Sequence, residues 1–456
     1  MNVDDFDHRV RTESGCVPPD LVRRLLELGH TAVVREQAGR GEWFCAREWA
    51  RWLERHGRPD EALAVLEPYL ALNWWPAAEA AVELLEGRGR VEEAVALARP
   101  YAEGGDQLVL RSFARLLTRH GRADEAFALL LPHLSEWFLA GPLVEAAEAA
   151  GLAEEAADLL AARIAAAPPE TGDVWGPDGR SGGVEPRNAV ELLAGIRERQ
   201  GRVAEAIALL RTRQDTSVGN RDALADLLAR HGRIEELRAY AEADGYGHGL
   251  QRLAEVLEER GDVDGAIEAY RRTEVFRRHV PVLLAHLLAR HGRGEEAIEL
   301  AYRCAERSGG EDCDLDLLAT LCLDLGRPGH GLDLLDALRE RRGGAEHWEQ
   351  YWMRLPLMAA CGRIDEAVER SRAHPEGDTW YAPGQVARML ADAGRTEEAV
   401  ALLRVAPDPD WNRRDLGGYL VELGRIEEAL AVLQHYEPPQ PSEPLEPTGG
   451  FEHPPF

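Results

Sequence analysis

Tryptophan is the residue here best suited to gripping a partner, and five of the eleven recur at one place in a repeating phrase. Trp43, Trp75, Trp137, Trp348 and Trp380 each stand fourteen residues before a glycine, and Trp411 is one residue out of phase. An indole offers a broad apolar face and one N–H donor, so a recurrent one can clamp a peptide or fill the space between neighbouring repeats. Trp175, alone in a Gly/Pro-rich stretch, can anchor a partner or pack back on the body. His56, His120, His231 and His291 each immediately precede one of these glycines. Repeated histidines can bind metal or sense pH. A helix C-terminus favours histidine through its dipole, and that is the simpler expectation. Cys304, Cys313 and Cys322 lie nine residues apart, unlike a CxxC zinc knuckle. Cys322 and Cys361 fall in periodic helical segments, so buried free thiols are expected.

Other chemistries are removed by composition. All 53 basic residues are Arg, which rules out a P-loop lysine, a Schiff base and a kinase's ATP-pairing lysine. The fragment GPDGRSGG at 176–183 has no Lys and no strand before it, so it is no phosphate loop. No GxSxG, HExxH or paired zinc motif occurs. An enzyme is not expected, nor is a cofactor or metal. With 81 acidic side chains the net charge is -28, against nucleic acid, whose phosphates call for an Arg/Lys surplus. The start, MNVDDFDHRV, lacks the positive end and apolar core of a signal peptide. No apolar run approaches the roughly 18 residues of a membrane span. A reduced, cytoplasmic protein is expected.

The elements that carry these residues come from a repeat. The segments ERHGRPDEALAVL (54–66), TRHGRADEAFALL (118–130), ARHGRGEEAIEL (289–300) and LGRIEEALAVL (423–433) are variants of one phrase. Its glycine recurs at 57, 89, 121, 151, 201, 232, 261, 292, 326, 362, 394 and 424, with a weaker copy at Gly29. One gap, of 50 residues, is long. Before the glycine, positions -8, -5 and -4 are nearly always apolar, as in Phe113, Leu116 and Leu117, one stripe of a helix. The glycine ends that helix in a left-handed conformation. Acidic residues then open a second helix, where the helix dipole favours them. Ala holds position +5 in ten of the twelve strong copies and recurs at -7, which marks close helix approach. Arg at +1 with Glu at +4 predicts a salt bridge on the surface or between units.

This unit resembles a tetratricopeptide repeat: a small residue in the first helix, a glycine, four residues, then Ala and an apolar second helix. The resemblance covers roughly residues 21–436. Most units run 29 to 32 residues, shorter than that family's usual unit. The family's aromatic at -11 is mostly absent (Ala46, Ala78, Leu110), with Tyr351 a match, and its closing proline is displaced to Pro68, Pro100 and Pro132. Pentatricopeptide repeats share the hairpin plan but bind RNA, which the charge disfavours. The resemblance implies an all-α, right-handed α-solenoid of stacked antiparallel helix hairpins, with first helices lining a concave groove. One hairpin buries too little to stand alone, so each needs its neighbours.

The expected organisation is an N-terminal extension at 1–20, a repeat arm at 21–166, an insertion or hinge at 167–188, a second arm at 189–436 and a Pro-rich tail at 437–456. The expected function is a non-catalytic scaffold that binds a protein or peptide in its groove, through Trp43, Trp75, Trp137, Trp348, Trp380 and Trp175. The alternative is a regulatory sensor that binds a peptide or small ligand and modulates a partner.

Overall fold

The structure is a computed structural model that describes residues 3–166, 186–212, 218–243, 247–272, 280–344, 346–406 and 411–435. The regular elements among the described residues are all helices, with no strand. Thirteen helix hairpins follow the glycine ruler. Trp43–Arg55 and Pro59–Leu70 flank Gly57, Trp75–Glu86 and Val91–Ala102 flank Gly89, and Gln107–Arg119 and Ala123–Leu130 flank Gly121.

Every ruler glycine, Gly29 included, has a positive φ between 63° and 86°. At Gly57 the amide donates to the Glu54 carbonyl, and the next amide, Arg58, donates back to Leu53 at 2.9 Å. The pair closes the helix in a Schellman motif. Its outer bond repeats as Arg90 to Leu85, Arg122 to Leu117 and Arg425 to Leu420, each at 2.9 Å. The carbonyl at -4 thus closes the turn while its side chain joins the core.

In ten hairpins the Ala at +5, among them Ala62, Ala94, Ala126 and Ala297, is buried in the crease between the two helices. Where Gly331 takes that place, an added Cβ would stand 2.8 Å from the Cys322 Cβ and 3.0 Å from Leu357. The crease has no room to spare at that hairpin.

The Arg and Glu that follow each glycine lock the start of the second helix. Arg58 grips Glu61 through Nε and Nη2 at 2.7 and 2.6 Å, and Arg90, Arg202, Arg363 and Arg425 grip Glu93, Glu205, Glu366 and Glu428 alike. The same Glu also receives an Arg from the preceding hairpin, as Arg99 reaches Glu125 at 2.6 Å and Arg211 reaches Glu236 at 2.8 Å. Asp262 and Gly265 replace this pair in one hairpin. There the Asp262 carboxylate accepts from the Gly265 amide, 2.3 Å from where a Cβ at 265 would lie. An N-cap substitutes for the ion pair.

The chain divides into two compact units, Trp75–Gly377, and Met1–Trp74 with Asp378–Phe456. The first unit stacks nine hairpins. Its stacking runs through the long gap: Ala153–Ala166 packs on Pro186–Arg199, and Arg197 and Arg202 reach Glu154 at 2.7 and 3.3 Å. Residues 167–185 of the insertion, with Trp175, and the tail from 437 lie outside the described residues.

The other unit is built from both ends of the sequence. Pro19–Glu27 packs on Arg413–Glu422. Arg24 grips Glu422 at 2.6 and 2.9 Å, Arg414 reaches Asp20 at 2.7 Å and Glu13 at 3.1 Å, and Gln434 donates to Gln37 at 2.8 Å. The N-terminal extension contributes a helix, Val3–Thr12, whose Phe6 is buried.

Two expectations need correction. Cys361 is exposed because it stands just before its glycine, the helix-end place that histidine takes in other hairpins; Cys313 is exposed on the opening turn of Asp312–Asp324. Cys16, Cys45, Cys304 and Cys322 are buried, and all six are free. The histidines divide. The His56 Nδ1 lies 2.8 Å from the Trp52 carbonyl at its own helix end, as expected. His120, His231 and His291 instead reach across to Glu86, Glu198 and Glu258 of the preceding hairpin at 2.8 to 2.9 Å.

Candidate partner-binding groove

The larger unit carries a half-open cavity of about 220 Å³ between the first helices Trp75–Glu86 and Gln107–Arg119. Successive turns of the first helix place Trp75, Glu79, Glu83 and Glu86 along one wall, and Arg115 and Arg119 stand on the other. Val82, Phe113 and Leu116 form an apolar floor. The walls are pinned by their own polar contacts. Ser112 Oγ donates to Glu79 at 2.9 Å, and Arg119 grips Glu86 with both contacts at 2.8 Å. Arg119 holds the Glu86 carboxyl below its ordinary pKa, and His120 adds to this. Arg115 reaches on to Glu145 of the next hairpin at 3.3 Å.

Trp75 is half-buried, with Tyr101 packed against it at a centroid distance of 5.6 Å. The cavity is smaller than the roughly 300–1,000 Å³ of pockets that enclose drug-sized ligands. Its size and its open side suit a side chain of a longer segment. Among the described residues no group of three or more His, Cys, Asp or Glu is arranged to hold a metal.

The other tryptophans at the same repeat position have different surroundings. Trp43 is 2% exposed, and its ring meets Tyr69 at 5.2 Å and Trp74 at 4.8 Å. Phe6 of the N-terminal helix closes that cluster edge-on to Trp74 at 4.9 Å, while the Trp74 indole donates to Asp7 at 2.9 Å. Trp348 is 1% exposed, between Tyr351 and His374 at 5.4 Å each. Both are core residues. Trp380 is 44% exposed and meets Trp411, 64% exposed, edge to face at 4.3 Å. Trp137 opens the helix Trp137–Ala149, and its side chain, like Trp175, lies outside the described residues. The structure therefore gathers Trp380 with Trp411, sets Trp75 in the groove, and gives Trp43 and Trp348 to packing. Tyr101, Arg115 and Arg119 were missed by the sequence reading; for Arg119 a signal was present, since Arg stands two before the glycine again at Arg55, Arg199, Arg230 and Arg290.

No family model matches the chain. A stretch of 97 residues is 30% identical to a mitochondrial pentatricopeptide repeat-containing protein of Arabidopsis thaliana, over 20% of this chain and about a fifth, 21%, of that protein. The structure is similar to the complex of Naa15 and Naa10 bound to HypK-THB, with 14% identity, 91% of this chain and 74% of that chain covered, and a TM-score of 0.42. It is similar to the maize pentatricopeptide repeat protein PPR10, with 16% identity, 95% and 64% covered, and a TM-score of 0.37. Yeast Tom70 is a third neighbour, with 13% identity, 85% and 90% covered, and a TM-score of 0.33. The hairpins, their glycine turns and their tight Ala crease define the class: the chain is an all-α, tetratricopeptide-like helical-repeat protein. Among the described residues no helix is long and apolar enough to cross a membrane.

Proposed function

We infer that the protein is a non-catalytic scaffold that seats an extended or helical segment of a protein partner along its first helices. One observation carries this reading. The half-open cavity beside Trp75 has an apolar floor, charged walls held by internal bonds, and the volume of a side chain. Such a site anchors one apolar residue of a segment while the walls select its polar neighbours. A prearranged wall keeps the entropy lost on binding low. The net charge of -28 supports a protein partner over nucleic acid. The six free cysteines accord with a reducing, cytoplasmic setting.

The test is capture of partners from the source lysate by the full chain and by Trp75→Ala, at low and moderate salt. A protein partner retained by the wild type and lost by the variant, with helicity and melting temperature preserved, supports the reading. Equal retention by both proteins would sink it.

A further inference from the structure

We propose that the exposed Trp380–Trp411 pair is a docking site for the chain's own proline-rich C-terminal tail, residues 436–456. The inference does not rest on the Trp75 groove, which belongs to the other compact unit.

The pair is set in place by buried chemistry. Asn412, next to Trp411, is itself buried, and its Nδ2 contacts the Trp380 carbonyl at 3.5 Å. A Cβ at Gly384 would stand 2.5 Å from the Asn412 Oδ1, so glycine keeps the room that Asn412 occupies. The two indoles are thereby held edge to face at 4.3 Å, with Tyr381 against Trp380 at 5.2 Å. Aromatic edges and faces set at such angles form the shallow slots into which proline rings of a polyproline II segment fit.

The tail has the matching composition and the right starting point. Residues 436–456 hold seven prolines and two phenylalanines, with Glu437, Glu443, Glu446 and Glu452 and no Arg. The described chain ends at His435, whose carbonyl accepts from Arg413 Nη1 at 2.6 Å, two residues from Trp411. The tail therefore leaves the fold beside the pair. At about 3.1 Å per residue a polyproline II segment of this length reaches roughly 60 Å, so the tether sets no limit. A segment tethered this close meets its site at an effective concentration on the order of millimolar, so a weak site is filled. Arg413, which holds the His435 carbonyl, sets a positive charge at the root of the acidic tail. Occupied by the tail, the pair would be shielded from other proline-rich ligands.

The test uses the full chain labelled with 5-fluorotryptophan, with the ¹⁹F resonances of positions 75, 380 and 411 assigned through Trp75→Phe, Trp380→Phe and Trp411→Phe. The tail is altered by Pro438→Ser, Pro439→Ser, Pro441→Ser and Pro444→Ser together, with the melting temperature as a check on the fold. The expected result is a displacement of the Trp380 and Trp411 resonances but not of Trp75. Addition of a synthetic peptide of residues 436–456 to the altered chain then returns them. Unmoved Trp380 and Trp411 resonances overturn the proposal. So does a displacement that grows with protein concentration, which assigns the site to a second copy's tail, and so does movement of Trp75 alone, which sends the tail to the groove.

Discussion

Trp43 and Trp380 hold the same place in the repeat and live in opposite surroundings. Both stand fourteen residues before a ruler glycine, yet one is sealed among Phe6, Tyr69 and Trp74 and the other lies at the surface against Trp411. The difference arises from what packs against the start of each first helix. Trp43 has the N-terminal helix Val3–Thr12 and the Tyr69–Trp74 segment to cover it, whereas beside Trp380 the contacts are Tyr381 and Trp411. Repeat register places a side chain on a flank of the solenoid, and neighbours outside the register decide whether that flank is core or surface.

Mutations can break this contrast, and the largest effects belong to the sealed members. Trp43→Ala and Trp348→Ala each remove a fully buried indole and should lower stability by about 3–5 kcal/mol, read from urea unfolding. Phe6→Ala should cost nearly as much, about 3 kcal/mol, and should also shift tryptophan emission to longer wavelength as water reaches the Trp43–Trp74 cluster. An unshifted emission would mean that the N-terminal helix does not seal it. Asp7→Asn, which weakens the charge-assisted bond from Trp74, should cost about 1 kcal/mol. Trp380→Ala should change stability by less than about 1 kcal/mol, since the ring is already half in water. A loss as large as that for Trp43→Ala would place Trp380 in the core and contradict the comparison.

A smaller effect follows from the Glu86 and Glu258 clamps. Hydrogen bonds from Arg119 and Arg290, with His120 and His291 adding to them, hold both carboxyls below their ordinary pKa. Groups lowered on folding contribute stability above their unfolded value of roughly 4.3, and that contribution is lost as pH falls through the lowered folded value. The urea midpoint of the wild type should therefore fall more steeply between pH 5 and pH 3, on the order of the carboxylate range, than that of Glu86→Gln with Glu258→Gln. Parallel curves would show that the inter-hairpin clamps carry no pH-dependent stability.

The frame of the fold was legible in the sequence because it depends on local physics. A left-handed turn demands glycine, a tight crease demands Ala, and a helix start favours acids, so each leaves a fixed residue at a fixed offset. Gly57, Ala62 and Glu61 show all three in one hairpin. The contacts that cross between elements left weaker marks. His120 was legible as a helix-end residue but its bond to Glu86 spans 34 residues. The meeting of Pro19–Glu27 with Arg413–Glu422 joins residues almost 400 apart, and no local pattern announces it. The site was half legible. The register selected Trp75 and set Phe113 in the apolar stripe, while the clamp of Arg119 on Glu86, repeated as Arg230 on Glu198 and Arg290 on Glu258, joins residues more than thirty apart and so was not read from the local pattern.

A partner seated in the Trp75 groove should touch the wall of that groove and not the exposed start of the second helix. Site-specific photo-crosslinking tests it most directly, with benzoylphenylalanine placed at position 79 inside the groove or at position 92 on the exposed start of the second helix. A discrete protein adduct is expected from position 79, lost when Trp75→Ala is added, and none from position 92. Adducts of equal yield from both positions, or an adduct at position 79 that survives the loss of Trp75, would contradict it.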